Sequence, residues 1–453
     1  MKEDDKKYKY IGAGLIIIGL LLMVFSSGTL GISSQDLYVQ SNDPSLKIMS
    51  VENLTGPVQV IIDLNVVGVQ AQDVFIQDVE AQGGTVVDTM YTLDNSILTT
   101  IDASKLYTLA SNPNVVRIVQ NQDVWFAPQD DVVTQNLADM RYTQLNVEPE
   151  WAKGLTGKGV VVAIVDTGIN SQLSIFQRNG QSIVIGSQQQ YGEYVMWHGT
   201  ACASCVASQD AFSKGIAPGA SLLNVEVFKA TGSADIWSIK KGWDWVVQWK
   251  NAHQNIPLIC SNSLGADART SPSAIILNKY ASDMMNKYNI PMIVASGNSG
   301  PGIVLCPGQS PDVLTVGAVD FQGNIASFSC SDANKPDVVA PGVSINMFDE
   351  NGNPKTASGT SFSTPLTAGV AALILEQHPD YSAQQLKSVI KDSAHSVQSQ
   401  SAYGSGLVDA TAAVNAVPGI LITGSGSSSI LYIGLIIVGA IIFFIPEIKK
   451  RKK

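Results

Sequence analysis

Residues 160–165 are six consecutive apolar side chains that stop abruptly at Asp166-Thr167-Gly168. A short apolar run without alternation is the pattern of a parallel strand covered on both faces, which restricts the chain to layered α/β architectures. An acid then stands at the strand's carboxyl edge, where open α/β sheets collect ligands and catalytic groups. The pattern recurs at residues 292–295, which run into Ser296-Gly297-Asn298. Residues 222–228 and 313–319 also read as strands, and a further strand starts at Pro257. Between them, residues 236–252 predict a helix with Ile236, Ile239, Trp243 and Val246 on one face, and residues 274–288 predict another. Strands alternating with helices imply a mostly parallel central sheet between helical layers.

The apolar stretch at residues 366–375 is opened by Gly359-Thr360-Ser361-Phe362-Ser363-Thr364-Pro365. A hydroxyl at the buried start of a helix meets unpaired N–H groups and the positive end of the helix dipole, a setting that favours developing negative charge. Serine is also a common helix cap, so Ser361 gains meaning only from its company. His198-Gly199-Thr200 opens a small-residue stretch that predicts a tightly buried helix, whereas His253, His378 and His395 read as structural. A serine hydroxyl needs a base to take its proton, and the imidazolium so formed needs a carboxylate partner. His198 and Asp166 supply those residue types, and Asn298 offers a side-chain amide for an oxyanion.

The order Asp166, His198, Ser361 is that of subtilisin among the known triads. The three motifs resemble those of the subtilisin-like serine protease family, and the resemblance runs from about Trp151 to about Ala416, through residues 215–220 and 335–342. It implies a subtilisin-like three-layer α/β/α fold and a serine endopeptidase working through an acyl-enzyme, with Asp166, His198 and Ser361 as triad and Asn298 in the oxyanion hole. It further implies that Ser261, Asn262, Ser263, Leu264 and Gly265, with Ala295, Ser296 and Gly297, bind a polypeptide substrate. Added strand pairing then supplies affinity and side-chain pockets supply preference. No acidic residue in 261–265 or 295–300 would select a basic side chain, so an apolar one is expected before the cut. Phe362 departs from the family, in which methionine usually follows the nucleophile. No cofactor is identified; the resemblance admits structural calcium, but no residue is assignable to it, and no metal site is expected. The competing class is a catalytically silent binding module that keeps the fold, against which the full set of four residues argues.

Residues 58–126 have another rhythm: strand 58–64, helix 71–81 closed by Gly83-Gly84, strands 85–91 and 96–101, helix 103–110 and strand 115–119. That is a ferredoxin-like α+β order, and it resembles the family's inhibitory propeptide, here residues 55–126, acting as an intramolecular inhibitor. Self-cleavage is expected between Phe126 and Asn146. The organisation expected is a basic tail (1–10), a signal peptide or signal anchor (11–31), a linker (32–54), the propeptide (55–126), a processing linker (127–148), the catalytic domain (149–417), a Gly/Ser linker (418–429), a transmembrane helix (430–446) and a basic tail (447–453).

The terminal segments point to a bilayer. Residues 11–25 are apolar or glycine with lysines before and small residues after, and read either as a cleaved signal or as an uncleaved anchor. Residues 430–445 suffice for a short span, and the lysine-rich tail after them favours the cytoplasmic side, leaving the catalytic domain outside. The formal net charge of −10 excludes a broad phosphate-neutralising surface, so no nucleic acid is expected. Lys240, Lys241 and Lys250 read as the wet face of a tryptophan-rich helix. The five cysteines, Cys202, Cys205, Cys260, Cys306 and Cys330, are too few and irregular for a disulfide framework. Cys202 and Cys205 read as small core residues, and a Cys306–Cys330 bridge is conceivable outside the cell.

Overall fold

A computed structural model of the chain describes residues 47–49, 54–66, 68–125, 140–190, 196–397 and 401–418. The apolar segments at 11–31 and 430–446, both basic tails and residues 127–139 of the processing linker lie outside the described residues. Within the described residues, no helix is long and apolar enough to cross a membrane.

Seven parallel strands form the central sheet, in the order Val184–Gln189, Ser221–Glu226, Val161–Asp166, Leu258–Asn262, Met292–Ala295, Leu314–Val319, Val338–Pro341. The run at 160–165 is therefore a central strand, with Ile164 opposite Asn224 on one side and Ser261 on the other. Its side chains alternate between two helical layers, which is why it contains no polar residue before Asp166. Val162 and Ile164 face the core shared with helices Trp197–Ala207 and Thr360–Gln377. On the other face Val165 lies near Gly242 of helix Ile236–Ala252, and helix Ile276–Asn286 packs beside that helix. Residues 360–375 are buried without exception, so the apolar run at 366–375 is a helix enclosed on all sides.

Residues 48–120 build a second sheet of five strands, in the order Ile48–Met49, Val115–Gln120, Pro57–Leu64, Asn95–Asp102, Thr85–Met90. All its pairings are antiparallel except the first. Helices Val69–Ala81 and Leu106–Ala110 cover one face, where Val60, Ile62, Phe75, Val79, Ile97 and Leu109 form a core. The period of two along Pro57–Leu64 sends Asp63 to the opposite face, against the helices of the larger unit.

That contact corrects the reading of Lys240. It is fully buried, its ammonium 2.7 Å from Asp63 and 2.9 Å from Asp94, because the five-stranded sheet covers this side of its helix. Arg117, the Tyr280 hydroxyl and the Ser96 hydroxyl also reach Asp63, at 2.7, 2.9 and 2.7 Å. Lys241 keeps about a third of its surface and pairs with Asp88 at 3.0 Å. Burial raises the Asp63 carboxyl, but the Lys240 and Arg117 charges overcome this and hold it well below the ordinary range. Asp94 moves the other way: burial outweighs its share of Lys240 and raises it. At the edge of the contact, Asn121 Oδ1 accepts from Trp237 N (2.9 Å), and Gln122 accepts from Ile236 N (3.2 Å) and Ser273 N (3.3 Å). Two helix starts thus receive acceptors from the smaller unit. Asp123–Trp125 then pairs antiparallel with Ser233–Asp235.

Replacing Lys240 by methionine keeps most of its volume, takes the buried cation from Asp94 and leaves Asp63 with Arg117 as its remaining cation. The expected cost is about 3–5 kcal/mol, the range for removing one member of a buried ion pair, measured by denaturant unfolding of the full chain. Because the Asp63 carboxyl is depressed, its stabilising contribution is complete above about pH 4 and fades as the pH falls further. Asp94, being raised, protonates first and does not drive that loss. A Lys240→Met cost below about 1 kcal/mol, as at an exposed pair, would contradict this account of the interface.

Candidate active site

Three separate strand or helix ends meet at the carboxyl edge of the central sheet. Asp166 ends the strand Val161–Asp166, and His198 is the second residue of helix Trp197–Ala207. The imidazole Nδ1 lies 2.7 Å from Asp166 Oδ1, both side chains being about 1% exposed. The same carboxylate oxygen accepts the Thr167 N–H at 2.7 Å. The two motifs are also locked together by their small residues. Thr167 Oγ1 accepts from Gly199 N (2.9 Å) and Thr200 Oγ1 accepts from Asn170 N (3.0 Å). A Cβ on Gly199 would stand 2.3 Å from the Gly168 carbonyl, so only glycine lets the helix start this close to the Asp-Thr-Gly turn.

Ser361 is the second residue of helix Thr360–Gln377, so its backbone N–H belongs to the first turn, which has no acceptor within the helix. Its Oγ is buried and makes no hydrogen bond. Nucleophile–base contacts are commonly long in unliganded sites and tighten when substrate binds. Pro365 sits four residues on and has no N–H to give to the Ser361 carbonyl. That carbonyl instead accepts from Ser263 Oγ at 2.7 Å and from Cys202 Sγ at 3.5 Å. The serine turn is thereby tied to the strand end at Ser263.

Asn298 follows the strand Met292–Ala295 through a Gly297 with φ 112°. Its Oδ1 accepts from both the N–H and the Oγ1 of Thr360, each at 2.9 Å. With the carbonyl end held, the amide nitrogen faces Gly359, 3.3 Å from where a Cβ on that residue would be. A donor therefore stands beside the start of the serine helix, where an oxyanion needs one.

The residues expected to bind substrate divide. Ser261 and Asn262 lie within the sheet; the Asn262 side chain accepts the Trp243 indole N–H at 2.8 Å inside the core. Ser263 reaches Ser361, Leu264 is buried, and Gly265 packs against Leu305. Ala295 and Ser296 are buried, and Gly297 N donates to Thr360 Oγ1 at 3.2 Å. The antiparallel strand Ser233–Asp235, missed in the sequence, already carries an extended segment of this chain. Thr360 and Pro365 have structural roles that the sequence alone does not assign; the signal that points to them is their place in the Gly359–Pro365 motif around Ser361. His253, His378 and His395 contact Trp249, Val414 and Asp409 respectively, away from these residues.

Among the described residues, Asp166, His198 and Cys202 form the one group of His, Cys and acidic side chains whose ligand atoms lie within 4.8 Å of one another. A single carboxylate with imidazole and thiol is a poor set for calcium, which takes six to eight oxygens. Burial, then the nearby Asp166 charge, pushes the Cys202 thiol well up, so it stays protonated beside His198. All five cysteines are free and buried, which replaces the conceivable Cys306–Cys330 bridge by two separate thiols.

The model of the Subtilase family matches residues 157–406. Subtilisin Savinase of Lederbergia lenta is 37% identical over 264 residues, 58% of this chain and 93% of that protein. An alkaline protease of Alkalihalobacillus alcalophilus is 37% identical over the same length, covering 58% of this chain and 66% of its own. A thermostable alkaline protease of Halalkalibacterium halodurans is 32% identical over 308 residues, 68% of this chain and 79% of its own.

The Phe362 ring is fully buried, 5.7 Å from the His198 ring and 6.1 Å from Trp197. Oxidation of a thioether at this place would put a polar sulfoxide against the imidazole, and phenyl offers no such reaction. Hydrolytic activity of the native chain is expected to outlast that of a Phe362→Met variant under hydrogen peroxide. Equal rates of inactivation would contradict the assignment.

Proposed function

This chain belongs to the subtilase family and is a serine-type endopeptidase, and from that premise we propose that Asp166, His198, Ser361 and Asn298 carry its reaction. Ser361 Oγ attacks the peptide carbonyl carbon while its proton passes to His198 Nε2. Asp166, bonded to Nδ1 at 2.7 Å, fixes the ring and offsets the imidazolium charge. The oxyanion receives hydrogen bonds from Asn298 Nδ2 and the Ser361 N–H. Collapse expels the amine, which takes the proton from His198 and leaves an acyl-serine. Water then repeats the sequence, giving its proton to His198, and the acid departs as Ser361 recovers its own. The buried Asp166–His198 pair beside a helix-starting serine is the observation that carries this reading.

Residues 55–126 act as an intramolecular inhibitor in the same proposal. Support comes from Asp123–Trp125, which occupies Ser233–Asp235 as an added antiparallel strand, the way an extended substrate would bind. The segment to be cut lies between that strand and Met140, since Arg141 and Leu145 are already buried in the catalytic unit. The terminal apolar segments hold the protein at a membrane, with the catalytic unit outside and the lysine-rich tail in the cytoplasm. High salt alone is then expected to leave the intact protein with the membrane fraction, and its release by salt would remove this part of the proposal.

A fluorophosphonate probe is expected to label the native chain and not Ser361→Ala, and the mass shift of self-cleavage is expected to vanish in that variant. Asn298→Ala is expected to lower kcat by about 10²–10³, the loss known for such a donor in a subtilisin. Labelling that persists without Ser361, or an unlabelled native chain that hydrolyses no peptide, would favour a silent binding module instead.

A further inference from the structure

Two walls expected to border the pocket for the substrate side chain before the scissile bond, residues 261–265 and 295–297, are both tied to the serine turn. Ser263 reaches the Ser361 carbonyl at 2.7 Å, and Gly297 N reaches Thr360 Oγ1 at 3.2 Å. A substrate side chain lodged between them would lie next to the reacting atoms. The space is occupied. A Cβ on Gly265 would stand 2.8 Å from Leu305 Cβ, and one on Gly297 would stand 2.6 Å from Leu305 Cγ and 2.8 Å from Cδ1. One leucine therefore touches both walls, and each wall has glycine where it does.

The leucine is held there by its backbone. Leu305 N donates to the Ser296 carbonyl at 2.9 Å, and its neighbour Cys306 exchanges two hydrogen bonds with Ala266, at 2.8 and 2.9 Å. The 304–306 segment is thus threaded between the two walls, and Leu305 cannot leave without breaking pairings on both. Unlike Val304 and Cys306 on either side, which are fully buried, Leu305 is only half-buried. An apolar side chain that belongs to no closed core, at the mouth between two substrate walls, is placed to meet the substrate.

We propose that Leu305 fills the floor of this pocket and restricts the chain to cleavage after small residues such as alanine. The inference rests on the proposed function and narrows the expectation of an apolar residue before the cut, which followed from the absence of an acidic residue alone. A large side chain would have to displace a packed leucine, and overfilling a fixed pocket is costly. Even one methylene can change a pocket's discrimination by about 10–200-fold.

Peptide substrates that differ only in alanine or phenylalanine before the scissile bond test this. The native chain is expected to favour alanine at least about tenfold in kcat/KM. Leu305→Gly is expected to raise the phenylalanine value at least about tenfold while changing alanine far less, with Leu305→Ala between the two. Fluorophosphonate labelling of Ser361 in each variant shows that the site is folded, and the native ranking decides by itself if a variant is not. A labelled native enzyme that cleaves after phenylalanine as well as after alanine overturns the role of Leu305 and leaves the proposed function standing. Loss of both labelling and cleavage in the native chain overturns the two together.

Discussion

The site depends on a carboxylate kept out of water and opposite an imidazole. Asp166 is about 1% exposed at the end of a strand whose other residues are apolar, and its one strong side-chain partner is His198 at 2.7 Å. A buried charge of this kind is tolerated only when it is paired and hydrogen-bonded. The Asp-Thr-Gly turn and the helix start at His198 are therefore bound to each other's geometry. Thr167, Gly168, Gly199 and Thr200 supply that fit by hydrogen bonds and by close approach of two glycines. Displacing any of them would unseat the imidazole before it changed the sheet.

The surroundings of Ser361 follow a related logic. Pro365 withholds the donor that would normally satisfy the Ser361 carbonyl inside the helix, and Ser263 from a neighbouring strand end takes its place. Thr360 does the same for Asn298 by holding the carbonyl end of its amide. Each bond joins the helix Thr360–Gln377 to a different strand of the sheet. The helix, enclosed by core on all sides, thus holds Ser361, Asn298 and Ser263 as a single rigid piece, and the proposed reaction would draw on that preorganisation.

The sequence made much of this legible where pattern and geometry share a period. Apolar-rich runs place the central strands to within a residue or two, as at 160–165 against Val161–Asp166 and, with Asn224 and Glu226 interspersed, at 222–228 against Ser221–Glu226. Helix Ile236–Ala252 has the predicted bounds, and Ile236, Ile239, Trp243 and Val246 are all buried. The expected helix 274–288 begins instead as a 3₁₀ turn at Pro272–Ile275, because the proline suits a helix start. Lys240 was misread for a physical reason: amphipathic pattern reports polarity, and a lysine that meets two aspartates of another sheet looks the same in sequence as one that meets water. Leu305 was invisible on similar grounds. Nothing in a leucine's neighbours along the chain says that glycines from two distant loops have made room for it.

Asp166, His198 and Ser361 are proposed to act as one unit, and a mutant cycle on peptide hydrolysis is the decisive test. Residues that share a single proton-transfer step lose their effect together, so kcat for His198→Ala/Ser361→Ala is expected to fall no further than for Ser361→Ala alone. If the two losses multiply instead, the residues contribute independently and the assignment of a shared catalytic step is wrong.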